Sequence, residues 1–211
     1  MCHSYGVPFI VDAAQSAGTL AVSLKKWDAD FIAMPGHKGL LGPQGTGLLL
    51  CGRDPKPLLF GGTGSNSREQ KMPEFLPDRL EAGTLNVPGI AGLDAGLRYV
   101  NQTGVQEIFR REHTQLQNCV HGLKKIGFRV FAGDHQASTV SFLPEGDCEE
   151  FAEKLGRRGI AVRAGLHCAP LAHESAGTLE TGTLRVSFGL DAGPRQTAAF
   201  CRSLKECLQA N

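Results

Sequence analysis

The sequence predicts an α/β protein in which part of a large-domain sheet is followed by a small α+β domain. Three observations predict it. Short apolar runs alternate with glycine-rich turns over the first 60 residues, two amphipathic helical stretches follow, and the last hundred residues return to a strand and helix pattern. A chain of 211 residues is long enough for one sizeable core, or for a large lobe with a smaller one.

The first part contains three predicted strands, at residues 7–12, 29–34 and 45–50. The first of them, "VPFIVD", is typical of a strand covered on both faces inside a parallel sheet. Because domains seldom begin on such a strand, we expect the chain to be the C-terminal portion of a larger architecture. Residues 61–85, rich in Gly, Ser, Asn, Pro and charge, form a long irregular segment, which is typical of functional or disordered loops.

Two helices are predicted next, from the spacing of apolar residues in 87–104 and 105–127, with Gly104 and Gly127 as stops. The sequence therefore predicts three parts: a partial large domain at 1–88, connecting helices at 89–127 and a small C-terminal α+β domain at 128–211. The elements predicted in the last part are strands at 128–132 and 138–144, a helix at 148–159, strands at 160–164 and 183–190, and a closing helix from Pro194 to about Leu208.

Composition favours a small-molecule function. The 22 basic and 21 acidic residues nearly balance, so there is no electrostatic footprint for nucleic acid or for an anionic membrane. No apolar run approaches the roughly 20 residues needed to cross a bilayer, and the first residues lack a signal-peptide pattern, so we expect a cytoplasmic protein. The seven cysteines are scattered without a CxxC pair, so neither a disulfide framework nor a metal site is expected.

Two polar residues, Asp12 and Lys38, follow predicted strands. The carboxyl ends of strands in an α/β sheet are where ligands bind, and the glycines around Lys38 would let the backbone approach a ligand closely. Asp12 could equally be a helix N-cap, and Lys38 a solvated loop lysine. The lysine does not have Walker A spacing, and "GPQGTG" lacks the following helix and acidic residue of a dinucleotide site.

A second group of reactive residues lies in "AVRAGLHCAPLAHE" and the segment after it. Cys168 could be a nucleophile whose thiolate is favoured by nearby cations, and Arg163 and Arg185 could hold a carboxylate. It could also be half of a metal site, although no second Cys/His pair stands at ligand spacing, or a loop cysteine without a role. A hydrolase pairing with His167 is disfavoured, because adjacent residues of an extended segment point to opposite faces.

These motifs together resemble a known family. "VDAAQSAG", "PGHKGLLGPQGTG", "EAGTLN", "VRAGLHCAP" and "GTLRVSFG" are similar, in order and spacing, to the cysteine desulfurase and selenocysteine lyase branch of the aminotransferase class V enzymes, which depend on pyridoxal 5'-phosphate and have fold type I. The resemblance covers essentially the whole chain. It implies a pyridoxal-phosphate-dependent transferase fold, of which this chain would hold the C-terminal portion, with residues 1–88 as part of the cofactor-binding domain.

The resemblance also implies roles for the first group of residues. Lys38 would form the Schiff base with the cofactor, and Asp12 would pair with its pyridine nitrogen. Gln15 would hydrogen-bond the phenolic oxygen of the ring, and His37 the phosphate. Thr84 would reach the phosphate of the partner subunit, so a homodimer is implied.

In the second group, the resemblance implies that Arg185 binds the substrate carboxylate with Arg163 close by, and that Cys168 accepts sulfur. The implied reaction converts L-cysteine to alanine and an enzyme persulfide, from which a sulfur-acceptor protein could be loaded. A selenocysteine lyase, a class V aminotransferase or an inactive fragment that only binds a partner are the alternatives. The family's phosphate-binding turn before the "VDAAQ" strand is missing, so we expect a truncated chain whose activity in isolation is doubtful.

Overall fold

The computed structural model describes residues 1–62, 65–66, 68–134 and 136–209. The chain divides into two compact units, Met1–Gln106 and Glu107–Asn211. Each unit has its own sheet and its own hydrophobic core. The finer division into 1–88, 89–127 and 128–211 stays a prediction.

A three-stranded mixed sheet organises the first unit. Strands β1 (Ile10–Asp12), β2 (Phe31–Pro35) and β3 (Gly47–Cys51) lie side by side in that order, with β1 parallel and β3 antiparallel to β2. All three were predicted, although β1 is shorter than expected. The unit also contains 3₁₀ helices at Cys2–Tyr5 and Asp78–Leu80 and the α-helices α1 (Leu24–Trp27) and α2 (Val87–Thr103).

One face of this sheet is covered and the other is open. Ile32 and Met34 point into the core, where Leu93 of α2 and Leu40 pack with them. On the opposite face Ile10 is 64% exposed, so the expectation that β1 is covered on both faces is wrong. The physical reason is that β1 is an edge strand with α2 on one side of the sheet, and the described residues leave its other side open to solvent.

Helix α2 begins and ends at residues that the sequence marks. The Asn86 side chain accepts a hydrogen bond from the backbone N–H of Gly89 at 3.1 Å and so caps the first turn. The helix ends at Gly104, whose φ of +83° suits a residue without a side chain. Leu93 and Val100, two turns apart, are buried, as the predicted apolar face requires.

The second unit is a small α+β domain with a four-stranded, fully antiparallel sheet in the order β4-β5-β7-β6. The α/β class predicted for the chain, with a small α+β domain towards its C-terminus, is confirmed. The helix α5 lies in a segment where no helix was predicted. The elements are α3 (Val105–Ile126), which starts two residues before the unit boundary, β4 (Arg129–Phe131), β5 (Thr139–Leu143), α4 (Cys148–Gly156), β6 (Arg163–Gly165), α5 (Pro170–Ala176), β7 (Thr183–Ser187) and α6 (Pro194–Gln209).

The core of the second unit lies between this sheet and helices α3, α4 and α6. Phe142 of β5 and Leu184 of β7 point into it and are fully buried. Leu123, Leu155 and Leu204 enter it from the three helices and are also fully buried. Because one face of the sheet is filled in this way, polar side chains on its other face remain available for ligands.

The described residues of the segment 61–85 are irregular, as predicted, apart from the 3₁₀ helix Asp78–Leu80. Residues 63, 64 and 67 of this segment lie outside the described residues. None of the described helices is long and apolar enough to cross a membrane.

A buried carboxylate ties the start of the first unit to its sheet. Asp30 is 4% exposed, accepts the backbone N–H of Phe9 at 2.6 Å and contacts Arg53 and His3, the His3 Nε2 atom lying 2.8 Å away. The N–H of Phe9, followed by His3, lowers the pKa of Asp30. The hydrogen bond to Asp30 in turn raises the pKa of His3 above its ordinary value of 6.5.

This pair predicts a pH-dependent stability. Since the folded-state pKa of His3 is raised, its stabilising contribution is complete below about pH 6.5 and is lost as the pH rises through the folded-state pKa. Raising the pH from about 6 to about 8.5 is therefore expected to lower the thermal midpoint more in the wild-type chain than in His3→Gln. Fluorescence of Trp27, the single tryptophan of the sequence, reports this unit. Parallel pH profiles for the two proteins would contradict the prediction.

Candidate active site

Asp12 closes strand β1 and is held in place by the turn that follows. Its Oδ1 atom accepts the backbone N–H of Ala14 at 2.8 Å, which orients the carboxylate at the carboxyl end of the strand. In the parallel register Asp12 lies beside Ala33 of β2. The loop that carries Lys38 leaves the same edge of the sheet, because β2 ends at Pro35.

Lys38 is exposed, and the loop around it is fixed by backbone hydrogen bonds. The N–H of Gly36 donates to Thr46 O at 2.8 Å, and the N–H of Gly42 donates to Gly36 O at 2.7 Å. The carbonyl of Lys38 itself accepts the N–H of Leu41 at 2.9 Å. These hydrogen bonds restrict the backbone conformation of the loop that carries the lysine amine.

Glycines hold the two loops at this edge against each other. A Cβ added to Gly18 would lie 1.9 Å from the carbonyl oxygen of Gly39, and one added to Gly39 would lie 2.3 Å from that of Ala17. A Cβ on Gly96 of α2 would lie 2.4 Å from the carbonyl oxygen of Leu40. The close approaches recorded here are between backbone segments of the protein, a role beyond the ligand approach that the sequence suggested.

A cavity of about 440 Å³ lies next to Asp12, on the open face of the sheet. A second cavity, of about 370 Å³, includes Thr84 in its wall. Glu81 lines both cavities and was not among the predicted site residues. Gln15, His37 and Lys38 are exposed and do not belong to the described walls of either cavity. The first cavity is walled by Asp12, Ala33, Met34, Pro35, Gly47, Leu48, Leu49 and Glu81.

In the second unit, strand register brings Arg163 and Arg185 together. Arg163 of β6 is the direct partner of Arg185 of β7, and Arg185 is also the partner of Ser141 of β5. These positions alternate with Phe142 and Leu184, so they lie on the face opposite the core. Like charges opposite each other on neighbouring strands destabilise a sheet, and an anion between them would offset that cost.

Cys168 lies at the tip of a tight turn beside these arginines. The carbonyl of Leu166 accepts the N–H of Ala169 at 2.9 Å, and the two central residues, His167 and Cys168, have φ values of +54° and +61°. Positive φ at both central positions is the mark of a type I′ turn. The cysteine is exposed, and a terminal guanidinium nitrogen of Arg163 lies 4.0 Å from its Sγ atom.

His167 is tied to the first residue of β7. Its Nε2 atom lies 3.1 Å from the carbonyl oxygen of Thr183 and 3.2 Å from its hydroxyl. Burial, followed by the charge of Arg185, lowers the pKa of His167, so the ring is neutral at neutral pH. The ring of His173, 5.7 Å away between centroids, is buried, with its Nδ1 atom 2.8 Å from the hydroxyl of Thr178.

The predicted site residues therefore form two groups. In the first unit Asp12 and the Lys38 loop share one sheet edge, while Thr84 lines a separate cavity. In the second unit Arg163, Cys168 and Arg185 are close neighbours. The tie between His167 and Thr183 was missed, because nothing in the local sequence indicates that contact. Within the described residues, no cluster of three His, Cys, Asp or Glu side chains could hold a metal ion.

Comparison with curated proteins finds relatives that are named as probable cysteine desulfurases. A probable cysteine desulfurase of Pyrococcus abyssi is 34% identical over 221 residues, covering 100% of this chain and 54% of the relative. A probable cysteine desulfurase of Methanothermobacter thermautotrophicus is 37% identical over 198 residues, covering 89% of this chain and 50% of the relative. The chain thus spans about half the length of these relatives.

Solved structures and a family profile also match the chain. The apo structure of a cysteine desulfurase from Thermococcus onnurineus matches with a TM-score of 0.86 and 34% identity, over 99% of this chain and 54% of that one. A cysteine desulfurase from Escherichia coli, described as S-sulfonic acid, matches with a TM-score of 0.87 and 31% identity, over 99% and 53%. The profile of the aminotransferase class-V family matches residues 1–198. By the extent of that match, the chain belongs to the aminotransferase class-V family.

Proposed function

We propose that this protein is a pyridoxal-phosphate-dependent cysteine desulfurase-like enzyme that transfers the sulfur of L-cysteine to Cys168 and releases alanine. The observation that carries the proposal is the surroundings of Cys168. The exposed sulfur stands on a tight turn, 4.0 Å from the guanidinium of Arg163, whose strand neighbour is Arg185. Relatives named as cysteine desulfurases align with essentially all of the chain, which supports this choice of reaction.

The residues of the first unit fit pyridoxal phosphate. Asp12 presents a carboxylate, held by the N–H of Ala14, that can pair with a protonated ring nitrogen. The adjoining cavity of about 440 Å³ lies in the range of small-molecule sites, about 300–1,000 Å³. Lys38 offers an exposed amine at the same edge of the sheet. When bound, the cofactor supplies an electron sink for chemistry at the substrate Cα.

The other proposed site residues of the first unit would help to hold pyridoxal phosphate. Lys38 would hold it covalently, Gln15 would hydrogen-bond its phenolic oxygen, and His37 would contact its phosphate. Thr84 would serve the phosphate of a partner subunit in a homodimer. Thr84 lines a cavity separate from that of Asp12, which agrees with the proposal that the two residues hold the cofactors of different subunits.

The chain's own residues then act on the substrate. Arg185, with Arg163 beside it, binds the carboxylate of L-cysteine, because paired guanidinium groups match a carboxylate in charge and hydrogen-bond geometry. Once the substrate amine has displaced it, the free Nζ atom of Lys38 takes the Cα proton as a general base. The Sγ thiolate of Cys168 forms a bond to the substrate sulfur as the bond from that sulfur to Cβ breaks; Cβ gains a proton and Cα regains the proton it lost, which gives alanine. The persulfide left on Cys168 would pass to a cytoplasmic sulfur-acceptor protein.

The decisive experiment follows the lysine and the product separately. We expect the purified chain, incubated with pyridoxal phosphate and reduced with borohydride, to carry the pyridoxyl group on the peptide that contains Lys38. Lys38→Arg keeps the charge and is the matched control, which should lose that label. Alanine release from L-cysteine then tests the reaction itself.

The outcomes separate the alternatives. Label that is spread over many lysines, or that is unchanged in Lys38→Arg, would contradict the assignment of Lys38 as the lysine that binds the cofactor. Specific label without alanine release would replace the desulfurase proposal with an inactive fragment that binds the cofactor. Faster release of selenium from selenocysteine than of sulfur from cysteine would favour a selenocysteine lyase.

A further inference from the structure

We propose that His167 is a positioning residue, which holds the turn that presents Cys168 by hydrogen bonding to Thr183. The inference rests on the proposed function, because it assigns a support to the proposed sulfur acceptor. The role is mechanical: His167 keeps the backbone of its neighbour in place and takes no part in the proton transfers.

The first argument is conformational. His167 and Cys168 are consecutive residues with positive φ, a conformation in which the Cβ of an L-residue crowds the backbone. Type I′ turns are normally built from Gly, Asn or Asp. Cys168 does not have that preference, so the turn persists only where its surroundings impose it.

The second argument is the rigidity of the anchor. Thr183 is 2% exposed and is the register partner of Gly165 at the end of β6. A Cβ on Gly182 would lie 2.9 Å from the Cα atom of Gly165, so the two backbones meet without a side chain between them. The ring of His167 therefore bonds to a fixed point of the sheet, whose register partner Gly165 lies two residues from Arg163, the arginine next to the sulfur.

The third argument is the hydrogen-bonding state of the ring. A neutral imidazole that donates from Nε2 to the carbonyl of Thr183 has its lone pair on Nδ1. That Nδ1 atom is buried and has no hydrogen-bond partner among the described residues, so the ring has no second hydrogen bond there that could replace the first. His167 and Arg185 both line a cavity of about 260 Å³, which connects the anchor to the carboxylate-binding side of the site.

A matched pair of variants tests this role. His167→Leu and His167→Gln have similar length, but only the glutamine amide can donate to Thr183. The first readout is the rate at which iodoacetamide alkylates Cys168 in the folded protein. The label is quantified on the Cys168 peptide after digestion, with the exposed Cys2 as an internal reference. The thiolate is the reacting form, so loss of the turn and of its neighbouring guanidinium should slow alkylation.

We expect His167→Leu to alkylate about ten-fold more slowly than the wild type and to lose on the order of 100-fold in turnover at saturating cysteine, with KM nearly unchanged. His167→Gln should recover most of both. If His167→Leu and His167→Gln had equal alkylation rates and equal turnover, whether both were slow or both were as fast as the wild type, the positioning role would be overturned. If the wild type alkylates as expected but releases no alanine, the proposed function fails while the positioning of Cys168 stands.

A second variant covers the case in which His167→Leu does not fold. Thr183→Val removes the hydroxyl at 3.2 Å and keeps the carbonyl at 3.1 Å. We expect it to slow alkylation by about three-fold, less than the leucine variant, because one of two acceptors remains. An alkylation rate equal to that of the wild type would count against the anchor.

Discussion

Cys168→Ser is expected to abolish cysteine-dependent loading of sulfur onto the protein, by at least about a thousand-fold, in line with the loss of nucleophiles in other enzymes. A serine hydroxyl at this position cannot form the bond to the substrate sulfur, and the exposed turn has room for it without repacking. The measurement is mass spectrometry of the Cys168 peptide after reaction with L-cysteine, searched for the addition of one sulfur atom. Borohydride labelling of Lys38 should be unchanged, because the two residues belong to separate units.

Cys2→Ser is the matched control for this change. Cys2 is also exposed and also a free thiol, but it lies in a 3₁₀ helix and not on the turn that carries Cys168. The control should load sulfur at the wild-type rate. Sulfur that still accumulates on Cys168→Ser, or that is found on the Cys2 peptide of the wild type, would contradict the assignment of Cys168 as the acceptor.

The longer helices were the most predictable part of the fold, because their signals are local. Helix α3 runs from Val105 to Ile126, and the predicted limits were 105 and 127. Its apolar spacing and the glycines at both ends act within a few residues of each other, so distant contacts were not needed to find it. The strands were also found, but their lengths depend on partners that the local sequence does not reveal.

Strand β6 shows why. The sequence predicted a strand at 160–164, whereas the observed strand is Arg163–Gly165. Strand pairing exists only where a partner lies opposite, and here the partner is the segment Thr183–Arg185 of β7. The same non-local pairing sets Arg163 against Arg185, so the arginine pair could be suspected from the sequence but its register could not.

The sequence singled out the candidate site residues but did not reveal how the turn at Cys168 is held. Asp12 and Lys38 could be assigned to one sheet edge, because both follow strands and parallel strands share an edge. The turn at Cys168 could not be predicted, because Cys does not favour positive φ and the contact that offsets this cost comes from Thr183, fifteen residues beyond the cysteine. Local propensity yields to tertiary contacts in the segment where the proposed chemistry takes place.

Leu204→Ala in α6 is expected to destabilise the second unit by about 2–5 kcal/mol, the range for removing a buried leucine side chain from a core. Leu204 has no solvent exposure and packs in the same cluster as Phe142 and Leu155. The matched control is Leu171→Ala, in which the side chain is 75% exposed and the change should stay within about 0.5 kcal/mol.

The measurement must report the second unit alone, since the chain has two units and its single tryptophan, Trp27, lies in the first. Hydrogen exchange of the backbone amides in β5 and β7 meets this need, because these central strands exchange only when their sheet opens. Equal protection in Leu204→Ala and Leu171→Ala would contradict the assigned core. Since the same two strands carry Ser141 and Arg185 on their other face, the loss of protection in Leu204→Ala should be accompanied by weaker binding of the substrate carboxylate, whereas Leu171→Ala should keep both.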